Sequence, residues 1–404
     1  MSWCVDKLGD LAETHLGKRL HRAGNKGEYY PYLGNDNIQW GELKLDEIKE
    51  IRLTSDELER YRVRPGDLLV CEGGDPGRCA IWDQDDEMYF QMALHRVRPD
   101  EKRLDAYWLK YYLMSLKITG ALDQFITART TIKHIPQPAL RAMPIRHPDI
   151  ASQRRIASIL MAYDNLIENN RRQIALLEEA AQRLYKEWFV DLRFPNHDGV
   201  EIVDGVPSGW VKTTMENVCE AIGGGTPSTK NASYWENGDI PWVTPSDVTG
   251  NIGLYLPKTE KQITREGLSH SSAKMLPVGT ILMTSRASIG YFAICEQEVC
   301  TNQGFISCKP FESYYTWWLL LELQSRVEEM KGVSKGSTFL ELGKTTFRRL
   351  PLVVPDKATL VHFQNTIQTL FNQMVVLRKQ HDAALQARDR LLPKFMSGEI
   401  EVEG

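Results

Sequence analysis

From Ile156 the chain can be followed in alternating steps of four and three residues through Leu160, Tyr163, Ile167, Asn170, Ile174, Leu177, Ala181, Leu184 and Trp188, a series apolar almost throughout. Steps averaging about 3.5 residues keep one stripe turned toward a partner helix, so the spacing predicts a coiled coil rather than a helix lying flat on a globule. Pro148 and Asp149 supply the start, with the Asp149 carboxylate placed to cap free amides, and Phe194-Pro195 marks the end. The partner stripe lies in the same chain. Moving 207 positions on from each residue gives Phe363, Ile367, Leu370, Met374, Leu377, His381, Ala384, Arg388, Leu391 and Phe395. Pro351 and Pro355-Asp356 repeat Pro144 and Pro148-Asp149 at the same offset. The chain therefore reads as an internal duplication, a globular part followed by a long helix, twice over. The apolar members of both stripes are the expected helix-pair interface. His381 and Arg388 place polar groups on the second stripe, and Pro393 is expected to end that helix earlier than its counterpart.

A length of 404 residues calls for two to four packed units, which suits the repeat. The expected divisions are 1–143 and 196–350 for the globular parts, with 144–195 and 351–404 for the helical regions. The fold class is α+β: two similar mixed α/β domains joined by two long antiparallel helices, with a pseudo-twofold internal repeat. No stretch approaches the roughly twenty apolar residues of a membrane span, and MSWCVDKLGD is not a signal peptide. Seven cysteines are an odd number, and Cys295, Cys300 and Cys308 are too irregularly spaced for a zinc site, so reduced thiols in a cytoplasm and no bound metal are expected. A net charge of −4 excludes nucleic-acid binding by bulk charge and leaves local patches as the route to it.

The globular parts repeat one another in order. Leu68-Leu69-Val70 after a Pro-Gly turn reads as a strand, and LPVGTILMTSRASIGYFAIC answers RPGDLLVCEGGDPGRCAIW. Pro241-Trp242-Val243 answers Pro31-Tyr32-Leu33, Asn302-Gln303 answers Phe90-Gln91, and Arg286 falls roughly at Asp75. Helical spacing at 107–125 precedes Arg129-Thr130-Thr131, as WWLLLELQSRVEEM precedes Lys335-Gly336-Ser337-Thr338. One scaffold with two sets of loops is the pattern of two related surfaces that read different things.

Nothing in the sequence is built to make or break bonds. IGGGTPSTKN lacks the Gly-Lys-Ser/Thr ending that would set a lysine on a phosphate and a hydroxyl on magnesium; it reads as a loop on a nucleic-acid backbone or as a simple turn. Glu47-Ile48-Lys49 has the acid-x-lysine spacing of metal-dependent nucleases, but lacks the upstream Pro-Asp and any second-half equivalent. It reads as a solvated helix face, with a stand-alone nuclease kept as the alternative. DNA contact is instead expected from loops. Lys18, Arg19, Arg22 and Lys26 stand without an acid between Gly17 and Gly27, able to neutralise phosphates or reach guanine edges. Ser228, Thr229, Lys230 and Asn231 occupy the matching place in the second half. Arg286, Lys335, Arg129 and Thr130 complete the candidate set; Gln91 and Gln303 are either base-reading amides or buried hydrogen-bonding groups.

The ordered series GGTPSTKNASYW, GDIPWVTPSDV, LPVGTILMTSRASIG and TNQGF, with KEWFVDLRFPNHDG before it, closely resembles the specificity subunits of type I restriction-modification enzymes over nearly the whole chain. The first half is similar more loosely, since GKRLHRAGNKGEYYPYLGNDNI has no Gly-Gly-Thr-Pro-Ser. The resemblance implies two target recognition domains, each reading half of a split site in double-stranded DNA. It also implies two methyltransferase subunits docked on the helices and ATP-dependent restriction and translocation subunits, with a methylase-only or differently assembled restriction system as the alternative. S-adenosylmethionine, ATP and Mg2+ would belong to those partners, and no cofactor to this chain.

Overall fold

The computed structural model describes residues 3–20, 26–129, 132–256, 258–336 and 339–402. It divides into two units, Met1–Ile167 with Ala383–Gly404, and Glu168–Asp382. Each long helix begins in one unit and ends in the other.

In the first unit the strands Ala12–Leu16, Leu94–Pro99, Leu68–Cys71 and Cys79–Ile81 lie side by side in that order, all antiparallel. A second sheet holds Lys49–Leu53, Glu28–Leu33, Met88–Phe90 and Arg62–Val63, with Glu28–Leu33 and Met88–Phe90 parallel. The run Leu68-Leu69-Val70-Cys71 is apolar at every position because both its faces are covered. Leu68 and Val70 turn to the core shared with Trp108, Leu109 and Leu113 of the helix Ala106–Ile118, whereas Leu69 and Cys71 turn to Leu33, Trp82 and Phe90. The second unit repeats the plan. Cys219–Gly223, Phe305–Pro310, Ile281–Thr284 and Phe292–Cys295 match the first sheet, with Tyr255–Leu256 added at the edge. Lys261–Ile263, Ile240–Val243 and Cys300–Thr301 form the second sheet, and Thr316–Ser325 is the covering helix.

The stripes become helices over Ile150–Tyr185 and Lys357–Ser397, the first running on into a π-helical turn at Lys186–Val190. Asp149 caps the first, accepting from the Ser152 amide at 3.0 Å, and Asp356 caps the second in the same way through the Thr359 amide at 3.0 Å. In each unit the start of one helix packs with the end of the other, so the pairing is antiparallel. Ile156 and Leu160 share a core with Leu392, Phe395 and Met396, and Phe189 meets Phe363 with ring centroids 4.8 Å apart. Ile156, Leu160, Ile167, Ile174, Trp188, Phe363, Ile367, Met374 and Leu377 are buried, each stabilising by roughly 1.5–3 kcal/mol relative to exposure. Tyr163, Leu177, Leu184, Leu370 and Leu391 are half-buried. No helix among the described residues is long and apolar enough to cross a membrane.

Three details differ from the sequence reading. Residues 144–147 and 351–354 pair as strands with Cys4–Lys7 and Val211–Thr214, so each globular part reaches past 143 or 350 before its helix starts. The second helix carries Pro393 inside its last turns and ends only at Ser397. Burial of Leu392, Phe395 and Met396 there outweighs a proline's cost of about 3 kcal/mol. The buried face is also wider than a two-helix seam: Phe371, Tyr185 and Leu392 are buried beside the stripe because the helices pack on the domains as well as on each other.

Candidate nucleic-acid interface

At one end of each unit's sheets the loops are tied together by main-chain bonds. In the first unit the Lys18 amide donates to the Phe90 carbonyl, Gln91 to Leu33, Glu72 to Ala93, and Ile135 to Glu72, at 2.8–3.3 Å. The second repeats the set: Gly225 to Thr301, Asn302 to Val243, Ser285 to Gly304, and Leu342 to Ser285, at 2.8–3.0 Å. Matched glycines allow the closest crossing. A Cβ on Gly17 would lie 2.2 Å from the Gln91 carbonyl carbon, and one on Gly224, 207 positions on, 2.2 Å from the carbonyl oxygens of Thr301 and Asn302. A left-handed residue follows in each central loop, Gly74 with φ 79° and Ala287 with φ 61°.

This register corrects two sequence alignments. Arg286 bridges to Glu341 as Gly73 bridges to His134, so Arg286 matches Gly73 rather than Asp75. Gln91 matches Asn302, not Gln303, because each donates its amide to the last residue of the same strand. Asp75 itself is neutralised locally by Lys117 at 2.7 Å and the Trp40 indole at 2.7 Å; its carboxyl stays low because these partners outweigh burial.

The candidate residues divide by environment. Lys18 departs from the expected free charge: it is 5 % exposed, with its ammonium 2.5 Å from the Glu57 carboxylate and donating to the Arg52 carbonyl at 2.9 Å. Burial raises the Glu57 carboxyl, but Lys18 and Thr54 together hold it below the usual range. Arg19 and Lys26 are exposed, as are Ser228, Thr229, Lys230 and Lys335. Asn231 spends its side-chain oxygen on the Ser233 amide at 3.2 Å, shaping its own loop. Arg286 is exposed, with Glu341 at 3.7 Å. Arg129 ends the strand Thr127–Arg129 of a hairpin with Ile132–His134, while Arg22 and Thr130 lie outside the described residues. Gln303 accepts from the Thr226 hydroxyl at 2.5 Å. Glu47 and Lys49 are exposed on a bend and the first residue of an outer strand, not on a helix. Two exposed lysines escaped sequence reasoning: Lys133 in the first hairpin and Lys344, whose ammonium lies beside Gly223. The repeat does not single them out: at the offset of 207 Lys133 is matched by Leu340 and Lys344 by Gln137.

Two copies of one loop-bearing domain, each followed in the chain by a long helix, define a duplicated reader that presents two different surfaces on one scaffold. The sequence profile of the type I restriction modification DNA specificity domain matches residues 2–179 and again 207–383. The chain belongs to this family. It is 24% identical over 463 residues to the type I restriction enzyme HindI specificity subunit of Haemophilus influenzae, spanning 97% of this chain and 100% of that one. It is 34% identical over 183 residues to the MjaIX specificity subunit of Methanocaldococcus jannaschii, which covers 45% of this chain and 42% of that protein. In fold it is similar to the crystal structure of a type I restriction-modification S subunit from M. genitalium, with a TM-score of 0.58, 17% identity, and coverage of 98% and 96% of the two chains. The protein is a DNA-sequence recognition subunit of a type I restriction-modification system.

Proposed function

We propose that each unit reads one half of a bipartite, asymmetric site in double-stranded DNA, and that the helices set the spacer between the halves. The observation that carries this is the loop framework. The same main-chain bonds hold both sets of loops, while the exposed side chains on them differ: Arg19 and Lys26 in one, Ser228, Thr229, Lys230 and Arg286 in the other. Side chains on such a frame reach phosphates and base edges, and changing them changes the sequence that is read. The chain itself is non-catalytic. Two methyltransferase subunits dock on the helices, where Leu176 and Val376 are exposed on the outer face, and restriction and translocation subunits join them. Those partners bring S-adenosylmethionine, ATP and Mg2+. The assembly works in the cytoplasm, in keeping with seven unpaired cysteines. Methylome sequencing of the host with and without the gene tests the reading: a split methylation motif is lost with the gene. Loss of no motif, or of a continuous palindrome, would count against it.

A further inference from the structure

The two long helices are copies of one segment, yet their seams are made of different chemistry at matched places. In the first unit Asp164 collects three donors. Arg388 reaches Oδ1 at 2.8 Å, while Lys110 and Tyr111 reach Oδ2 at 3.1 and 2.5 Å. Lys110 and Tyr111 are buried, so the cluster is largely withdrawn from water. In the second unit the offset of 207 replaces Asp164 by Phe371 and puts Ala181 where Arg388 stands. When the covering helices are aligned on Trp108-Leu109 and Trp318-Leu319, Leu320 and Leu321 take the places of Lys110 and Tyr111. All four replacements are buried, and Trp317 stacks on Phe371 with ring centroids 3.7 Å apart. From the Phe189–Phe363 contact, eight residues back on one antiparallel helix and eight forward on the other bring Ala181 opposite Phe371. One seam is thus closed by an acid facing a base, its copy by a large ring facing a small methyl.

A duplicated helix can pair with its copy in the same chain or with the same helix of a second molecule, by the same geometry. We infer that these contacts form a pairing code that fits the first helix to the second helix and misfits either one to another copy of itself. Were two first helices to pair, Asp164 would face Ala181 twice, leaving a void and a carboxylate short of its guanidinium. Were two second helices to pair, Arg388 would face Phe371 twice, overfilling the seam and keeping only its neighbour Asp389, 2.8 Å away, as a counter-charge. Nearer the middle, buried Asn170 and His381 correspond to Ile174 and Leu377 in crossed order: Ile174 is replaced by His381 and Asn170 by Leu377. Like-with-like pairing would there set polar against apolar as well. The device rejects a partner by mismatch as much as it attracts one by fit. It stands on the helix contacts alone, independently of what the loops read.

Full-length variants can reproduce each encounter. Arg388→Ala sets Asp164 against alanine, the first-with-first contact. The block Lys110→Leu, Tyr111→Leu, Asp164→Phe sets phenylalanine against Arg388, the second-with-second contact. Combining all four gives the first unit the second unit's set. Each half-change is expected to lower the thermal unfolding midpoint by roughly 5 °C, and the combination to regain at least half of the larger loss. Losses that simply add would overturn the code. If the block variant fails to fold alone but folds once Arg388→Ala is added, the code holds. If it fails in both forms, the milder cycle of Asp164→Asn, Arg388→Gln and the pair decides: a double loss smaller than the sum of the singles supports the code, and an additive one overturns it.

Discussion

Lys18 carries a charge in a loop rich in positive residues, yet its ammonium is already committed to Glu57 and the Arg52 carbonyl. Lys18→Ala is therefore expected to destabilise the first unit by about 1–3 kcal/mol while leaving the salt dependence of DNA binding unchanged. Exposed Lys230 and Arg286 behave differently. A phosphate contact removed by either alanine substitution flattens the slope of log K against log salt by about 0.9, whereas a lost base contact costs about 1–3 kcal/mol and relaxes one position of the site. Binding titrations at several salt concentrations separate the three cases. Glu178 is the opposite of Lys18: a half-buried acid with no ion-pair partner among the described residues, where its counterpart 207 residues on is Leu385. Burial pushes its carboxyl up to about 7. Between the ordinary carboxylate range and pH 7 the folded chain holds a proton that the unfolded chain has released, so this residue's contribution to stability falls as pH rises through that window. Glu178→Gln is expected to gain about 1–3 kcal/mol at pH 8 and almost nothing at pH 4.5, measured by denaturant unfolding at both pH values.

The paired caps make a prediction for whole elements. Asp149→Ala and Asp356→Ala should each cost about 0.5–2 kcal/mol, and together nearly the sum, because the two caps stand in different units and share no partner. Amide and hydroxyl donors at Ser152 hold the Asp149 carboxyl below its usual range, so its cap is fully present at neutral pH and lost as pH falls through that lowered value. Helical content followed during acid titration checks the sign. These caps and the stripes were legible in the sequence because both depend on neighbours within a turn or two along the chain. Lys18 was not, since Glu57 and Arg52 reach it only after the strands have paired. Phe371 and Leu392 were missed because a 3.5-residue period describes one partner helix and says nothing of a second surface packed on the same helix. Pro393 misled because local propensity was set against burial that only tertiary contacts supply. Of the candidate interface, the sequence singled out the loops but not which of their charges are already paired within the fold.

At the scale of the whole chain, the proposed function makes the helices the ruler that separates the two half-sites. Seven residues added in register to both helices, about 10 Å at about 1.5 Å per residue, should lengthen the non-specific spacer by roughly three base pairs and leave both half-sites unchanged. Methylation mapping of the elongated variant reads this directly; altered half-sites with the old spacer would refute it. The way the loops are hung has a consequence of another kind. A bond from one amide to another residue's carbonyl, such as Glu72 to Ala93 or Ser285 to Gly304, is indifferent to the side chains those residues bear. Mutation can therefore rewrite the exposed positions of either loop set without the fold resisting, provided that Gly17 and Gly224 stay small. With the loops reading DNA as proposed, a lineage carrying such a chain can change the DNA words it recognises by single substitutions, each variant inheriting a finished scaffold.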